Sequence, residues 1–222
     1  MKYELFIDFD GTISTVDTLE YLLNNFADYR WREIEDKISQ GEMDESEGLK
    51  RQFKLIRLSR EEALYALERV VQLDSYFKTL LVWCQGLGIR TTIISGGFNW
   101  IISHFLKKNG IQGISLKAND SIIRDGKWEI IPGGSPLECK KCNHCKAQYL
   151  RFSKEKGIKP IFVGDGNTDR CPSKEAEILF AKGSLKEFCI KEDIKFYPFN
   201  NLNEVYLKLK GLLEEIKPDK RE

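Results

Sequence analysis

The sequence predicts an α/β protein, a doubly wound and mainly parallel sheet with a bundle of helices inserted after the first strand. Three observations carry that prediction. Short hydrophobic runs at 3–7, 91–94 and 160–163 each end in a polar turn and lead into a helical pattern, the rhythm of a parallel sheet. Between the first two runs, apolar residues recur at helical spacing with no strand among them. At 222 residues the chain can bury a full core as one domain, or as a domain with an insertion.

The first strand, Tyr3-Glu4-Leu5-Phe6-Ile7, runs straight into Asp8-Phe9-Asp10-Gly11-Thr12. A strand reverses its side chain at each residue, so Asp8 and Asp10 share a face and Phe9 turns away. Aligned carboxylates repel, and a hard cation with oxygen ligands, such as magnesium, relieves them. Asp and Gly are also ordinary turn residues, so the pair by itself fits a plain acidic turn equally well.

Helical stripes follow: Leu19, Leu22, Leu23 and Phe26; Trp31, Ile34 and Ile38; Leu49, Phe53 and Ile56; Leu64, Leu67 and Val71. They place a helical cap domain at residues 14–74, hinged near Ser14-Thr15 and Leu73-Asp74. The core is then 1–13 together with 75–222. A helix over 76–85 precedes the second strand, which ends in Ser95-Gly96-Gly97, a hydroxyl and unhindered amides ahead of a helix, a turn that suits a phosphate. The helix over 98–108 closes at Asn109-Gly110 with left-handed cap residues. Residues 121–123 and 128–131 flank Arg124-Asp125-Gly126-Lys127, a hairpin signal. A helix over 146–156 leads into the 160–163 strand and a second acidic cluster, Gly164-Asp165-Gly166-Asn167-Thr168-Asp169. A helix through Ala176, a strand at 178–180 and a helix over 202–216 complete the pattern. Ligands of such sheets bind at the carboxyl ends of the strands, where both acidic clusters and Ser95 fall.

Lys+Arg number 35 and Asp+Glu 34, so no global field recruits nucleic acid or an anionic membrane. No apolar stretch is long enough to span a bilayer, and the N-terminus shows no signal-peptide pattern. The expectation is a cytoplasmic protein, monomer or homodimer, with a small-molecule partner. Six cysteines are too few and too uneven for a disulfide scaffold in a chain of this length. Cys139, Cys142 and Cys145 repeat every third residue beside His144. Structural zinc, reactive thiols and small packed residues all fit that pattern, and no distant fourth ligand is evident.

Taken in order, these residues resemble the haloacid dehalogenase superfamily of phosphohydrolases. Its four motifs are an Asp-x-Asp-Gly-Thr start, a strand-ending Ser or Thr, a Lys, and an acidic Gly-Asp-x-x-x-Asp cluster. They fall here on Asp8, Asp10, Ser95, Lys146, Asp165 and Asp169, and the resemblance spans most of the chain. It implies Asp8 as nucleophile, Asp10 as general acid and base, and Lys146 as the cation between Asp8 and the phosphate. It also implies phosphate contacts from Thr12, Ser95 and Gly96. Magnesium would sit on the Asp8 and Asp165 carboxylates and the Asp10 carbonyl, with Asp169 nearby or bound through water. On residue type alone, a Lys opening a helix is an ordinary surface residue.

The helical insertion resembles that of the phosphoserine phosphatase branch. Asp17 stands where that branch has a Glu, and Gln52 where it has a carboxylate-binding Arg, which a neutral amide cannot replace. Glu47-Gly48-x-x-Arg51-x-Phe53, Thr168 and Cys142-Asn143-His144-Cys145-Lys146 are more similar to methionine-salvage phosphatases acting on 2-hydroxy-3-keto-5-methylthiopentenyl-1-phosphate. Asp17, Arg51 and Gln52 are therefore candidate substrate residues, although Arg51 also reads as a charge on a solvated helix face. The expected activity is a magnesium-dependent phosphomonoesterase for a small phosphorylated metabolite. Phosphoserine hydrolysis, phosphoryl transfer or mutase chemistry, and a non-catalytic phosphate-binding scaffold are the alternatives.

Overall fold

The protein is described by a computed structural model covering residues 2–124, 126–134 and 143–215. Strand β1 (Tyr3–Ile7) lies at the centre of the sheet, and its apolar residues are buried on both faces: Leu5 and Ile7 join one core and Phe6 the other. That two-sided burial is why the run is continuously hydrophobic rather than alternating. Each fully buried side chain of this size stabilises by roughly 1.5–3 kcal/mol.

Four helices follow: α1 (Thr18–Phe26), α2 (Trp31–Ser39), α3 (Glu45–Phe53) and α4 (Arg60–Leu67). Asp17 caps α1, and Ser59 with Glu62 forms a reciprocal capping box on α4. The chain leaves and re-enters the sheet region side by side. Ser14 bridges Leu73, the Thr15 amide donates to the Gln72 carbonyl and the Asp74 amide to that of Ile13.

Helix α5 (Phe77–Gly86) precedes β2 (Arg90–Phe98), followed by α6 (Asn99–Lys108), β3 (Ser115–Arg124) and β4 (Lys127–Ile131). Then come α7 (Ala147–Glu155), β5 (Lys159–Gly164), α8 (Arg170–Ser173), β6 (Ile178–Ala181), α9 (Gly183–Lys191), β7 (Tyr197–Pro198) and α10 (Leu202–Glu215). The sheet order is β4-β3-β2-β1-β5-β6-β7, parallel except for the β3–β4 hairpin. The carboxyl ends of β1, β2 and β5 are thereby neighbours.

Several elements differ from the sequence expectation. Ser95-Gly96-Gly97 belongs to β2 and not to a turn: pairing with β3 resumes at Phe98 opposite Asn119 after a register shift. Tertiary pairing holds extended a segment whose local glycine signal reads as a turn. Helix α9 and strand β7 were not anticipated, since α9 shows only Leu185 and Cys189 as an inward pair and β7 is two residues long. The helix expected through Ala176 stops at Ser173. At the end of α6 only Gly110 is left-handed, Asn109 having φ −93°.

The hairpin supports the helical insertion. Phe53 packs edge-on against Phe98 at 5.0 Å and stacks on Trp128 at 6.3 Å, while the Trp128 indole donates to the Leu58 carbonyl at 2.7 Å. One hydrophobic cluster therefore runs from the insertion into the sheet.

Candidate active site

Asp8 follows the last residue of β1, and its amide continues the ladder by donating to the Val163 carbonyl. Its Oδ1 accepts from the Phe9 amide at 2.7 Å and from Lys146 Nζ at 2.8 Å, which fixes the rotation of the carboxylate. Lys146, at the entrance of α7, is only 2% exposed, contrary to the surface reading that its type suggests. Its other partner is Asp169 Oδ1 at 2.7 Å. Burial opposes the ammonium, but Asp169 and Asp8 on either side outweigh it and hold Lys146 charged.

Asp169 is fully buried and organises the loop after β5, where its Oδ2 accepts from the Asp165 and Gly166 amides at 3.0 and 3.2 Å. Thr12 Oγ1 donates to Asp165 Oδ1 at 2.5 Å, and the Thr12 amide donates to the Phe9 carbonyl. Thr12 thus braces Asp165. Gly11 has φ +71°, and a Cβ there would strike the Asp165 carboxylate, so β1 can turn this close to β5 only through glycine.

Asp10 shares the cleft but faces other partners. Its Oδ1 accepts from the Thr18 amide at 2.9 Å and the Thr18 hydroxyl at 2.6 Å; Ser95 Oγ donates to Oδ2 at 3.3 Å. A Cβ on Gly97 would come within 2.5 Å of that Oδ2, so the bulge in β2 makes room for Asp10. Burial raises the Asp10 pKa against these donors. Thr18, the first residue of α1, is the positioning group the sequence reading missed. Its place directly after the helix-capping Asp17 was the available signal.

Oxygen atoms of Asp8, Asp165 and Asp169 lie within 4.8 Å of one another, the one such group of three or more metal-ligating side chains among the described residues. Burial, and then the neighbouring Asp169, raise the Asp8 pKa well above the carboxylate range; burial also pushes Asp165 up to about 6. Three carboxylates against one ammonium leave an excess that a divalent cation with oxygen ligands would neutralise, so the donor set fits magnesium. The Asp10 carboxylate stands outside that trio.

The candidate substrate residues are dispersed. Asp17 spends Oδ1 on the Leu19 and Glu20 amides; although its side chain touches solvent, neighbouring atoms desolvate it and, with Asp10 nearby, push its pKa up to about 7. Arg51 pairs with Glu47 at 2.7 Å on the exposed face of α3. Gln52 is fully buried and donates to the Trp31 carbonyl and to Glu35, tying α3 to α2 instead of lining a cleft. Helix α3 thus turns Arg51 to its exposed face and Gln52 toward α2. A groove of about 670 Å³, lined by Tyr3, Lys159, Ile178 and Tyr197, lies at the opposite, amino-terminal ends of the strands.

Of the cysteine run, Cys139 and Cys142 lie outside the described residues, and Cys145 is buried. His144 is 5% exposed, stacks on Tyr149 at 5.5 Å, and has no hydrogen-bond partner for either ring nitrogen among the described residues. Burial first, then Lys146 and Lys117, push its pKa from 6.5 down to about 4. Between those values the unfolded chain binds the extra proton, so stability falls as pH drops from 6.5 toward 4. Thermal melts of His144→Phe should show a shallower decline over that window than the wild type; parallel curves would contradict a neutral His144.

A family model described as haloacid dehalogenase-like hydrolase matches residues 5–171. This chain belongs to that family. "Pdp3-interacting factor 1" of Schizosaccharomyces pombe is 28% identical over 94% of this chain and 95% of its own length. The 2-hydroxy-3-keto-5-methylthiopentenyl-1-phosphate phosphatase of Bacillus mycoides is likewise 28% identical, over 96% of this chain and 99% of its own. A solved phospho-aspartyl intermediate analogue of phosphoserine phosphatase shares the fold, with a TM-score of 0.68, 22% identity, and coverage of 98% of this chain and 100% of that one. No helix among the described residues is long and apolar enough to cross a membrane.

Proposed function

We propose that this phosphatase of the haloacid dehalogenase family hydrolyses a small phosphorylated metabolite through an aspartyl phosphate on Asp8. The observation that carries the reading is the division of labour between two carboxylates two residues apart. Asp8 is clamped by Lys146 and the Phe9 amide beside two further acids, whereas Asp10 is held separately by Thr18 and Ser95. A binding module needs no second carboxylate, kept protonatable by burial.

Asp8 attacks phosphorus, and the departing alkoxide takes the Asp10 proton. Asp10, now a carboxylate, accepts a proton from the water that opens the acyl phosphate. Lys146 holds the Asp8 carboxylate in place and offsets charge on the phosphoryl oxygens, to which the Gly96 amide donates, joined by Ser95 Oγ when its proton swings from Asp10 to the phosphate. Magnesium, held by Asp8, Asp165 and Asp169 with the Asp10 carbonyl, would supply charge neutralisation for the phosphate. Residues 14–74 form a cap over this rim. The paired neck at Ser14 and Leu73 supports that division, as does Ser46 Oγ on α3 donating to Asn143 Oδ1 at 2.6 Å, three residues before Lys146.

For the substrate, the Bacillus relatives named for 2-hydroxy-3-keto-5-methylthiopentenyl-1-phosphate support a phosphorylated hydroxy-keto compound. Gln52, turned toward α2, offers the cleft no guanidinium for an amino-acid carboxylate, which disfavours phosphoserine. The test is phosphate release from a panel of ketose, amino-acid, nucleotide and aryl phosphates with magnesium present. Turnover should be highest on the keto phosphate, vanish in chelator and fall with excess calcium, whose looser shell lets Asp8 bind through both oxygens. Comparable phosphoserine turnover would overturn the substrate class, acceptor-dependent transfer the hydrolase reading, and full activity in chelator the metal.

A further inference from the structure

Asn119 lies on β3 with 2% of its surface exposed, and its amide works in two directions. Nδ2 donates to the Gly96 carbonyl at 2.7 Å, and Oδ1 accepts from the Gly133 amide at 2.8 Å. Both partners are backbone groups of segments that lead to the phosphate-binding residues.

The first segment is the irregular stretch of β2. Pairing with β3 passes from Ile94 opposite Lys117 to Phe98 opposite Asn119, four steps on one strand against two on the other. Such a bulge takes backbone groups out of the ladder and re-aims the residues it carries, here Ser95 and Gly96. The Gly96 carbonyl finds its partner in the Asn119 side chain. The second segment, Gly133-Gly134, runs against the approach to Lys146: Gly134 bridges His144, and its carbonyl accepts from the Cys145 amide at 3.0 Å and from Gln148 Nε2 at 3.0 Å. A Cβ at position 133 would meet the Ala118 carbonyl at 2.5 Å and the His144 ring, so this segment approaches β3 only as glycine.

We infer that Asn119 is a positioning residue for phosphate recognition, fixing the Ser95-Gly96 bulge and the Lys146 approach relative to each other through the Gly96 carbonyl and the Gly133 amide. The inference rests on the phosphatase reading above. The chemistry is specific to a short primary amide, which carries a donor and an acceptor on one planar group. Aspartate would still accept from Gly133 but would set a charged oxygen against the Gly96 carbonyl. Leucine would serve neither. The candidate magnesium ligands come from β1 and from the loop after β5, on the other side of β2 from Asn119, and the tie reaches them through Lys146, which bonds Asp8 and Asp169.

The test uses the full-length, magnesium-loaded enzyme and measures competitive inhibition by inorganic phosphate and orthovanadate against an aryl phosphate. Asn119→Asp and Asn119→Ser should each weaken both inhibitors by roughly tenfold or more. The magnesium concentration for half-maximal activity should shift by a smaller factor than the phosphate affinity, since the tie meets those ligands only by way of Lys146, and a larger shift in magnesium would overturn the inference. Ser121→Ala is the control for plain destabilisation: two residues along the same strand face, it loses only the Trp100 indole partner, and it should lower Tm while leaving phosphate affinity intact. Asn119→Ser, smaller and neutral, keeps the test open if the aspartate variant does not fold. Phosphate affinity unchanged in a folded Asn119 variant, or reduced no more than in Ser121→Ala, would overturn the inference alone. A wild-type enzyme that neither turns over the ester nor binds phosphate would overturn the phosphatase reading with it.

Discussion

Asp8→Asn should abolish turnover, lowering kcat by at least about a thousandfold, because an amide cannot form the acyl phosphate on which the two-step route depends. The loss should extend to the covalent adduct: acid-quenched, labelled substrate leaves a base-labile phosphoryl group on the wild type and none on the variant. A variant that still forms the adduct would mean that the nucleophile is another residue. Stability should move the opposite way. Burial and the neighbouring Asp169 and Asp165 oppose an ionised Asp8, so removing its charge should raise the Tm of the metal-free protein. It should also shrink the increment that magnesium adds, since one of the three candidate carboxylate ligands is gone. A lower metal-free Tm would show that the Lys146 pairing outweighs the crowding.

Asp10→Asn should divide substrates by leaving group. The amide can keep the Thr18 and Ser95 contacts, so the fold of the cleft is retained while the transferable proton is lost. With alkyl phosphates, whose alkoxide needs that proton, the rate should fall by about a hundredfold or more. With an activated aryl phosphate, whose phenolate leaves unaided, the first step should lose only a fraction of that. Pre-steady-state bursts would then appear on the aryl ester, because opening of the acyl phosphate still lacks its base. Equal losses on both substrate types, without a burst, would remove the acid/base assignment.

Much of the core was legible because its signals are local. Tyr3–Ile7 reads as a strand from its hydrophobic run, and Asp8 and Asp10 read as sharing a rim from the two-residue period. The second acidic cluster follows β5 for the same reason. Less legible were features whose cause lies in another segment. Ser95-Gly96-Gly97 carries a turn composition, yet pairing with Asn119 draws it into β2. Arg51 and Gln52 are adjacent on one helix, and the rotation of α3 against α2 alone decides that one is exposed and the other buried.

The sequence by itself determined the doubly wound sheet, the helical insertion and the identity of the acid cluster, since hydrophobic period and strand-end motifs are written in neighbouring residues. The tertiary structure decided how those groups are used. It buried Lys146 between Asp8 and Asp169, turned Asp10 onto Thr18, spent the Thr12 hydroxyl on Asp165, and tied Gly96 to Gly133 through Asn119. Each of these contacts joins residues distant in sequence. Hydrogen bonding and charge pairing act over a few ångströms of space, and only the folded sheet brings those partners that close.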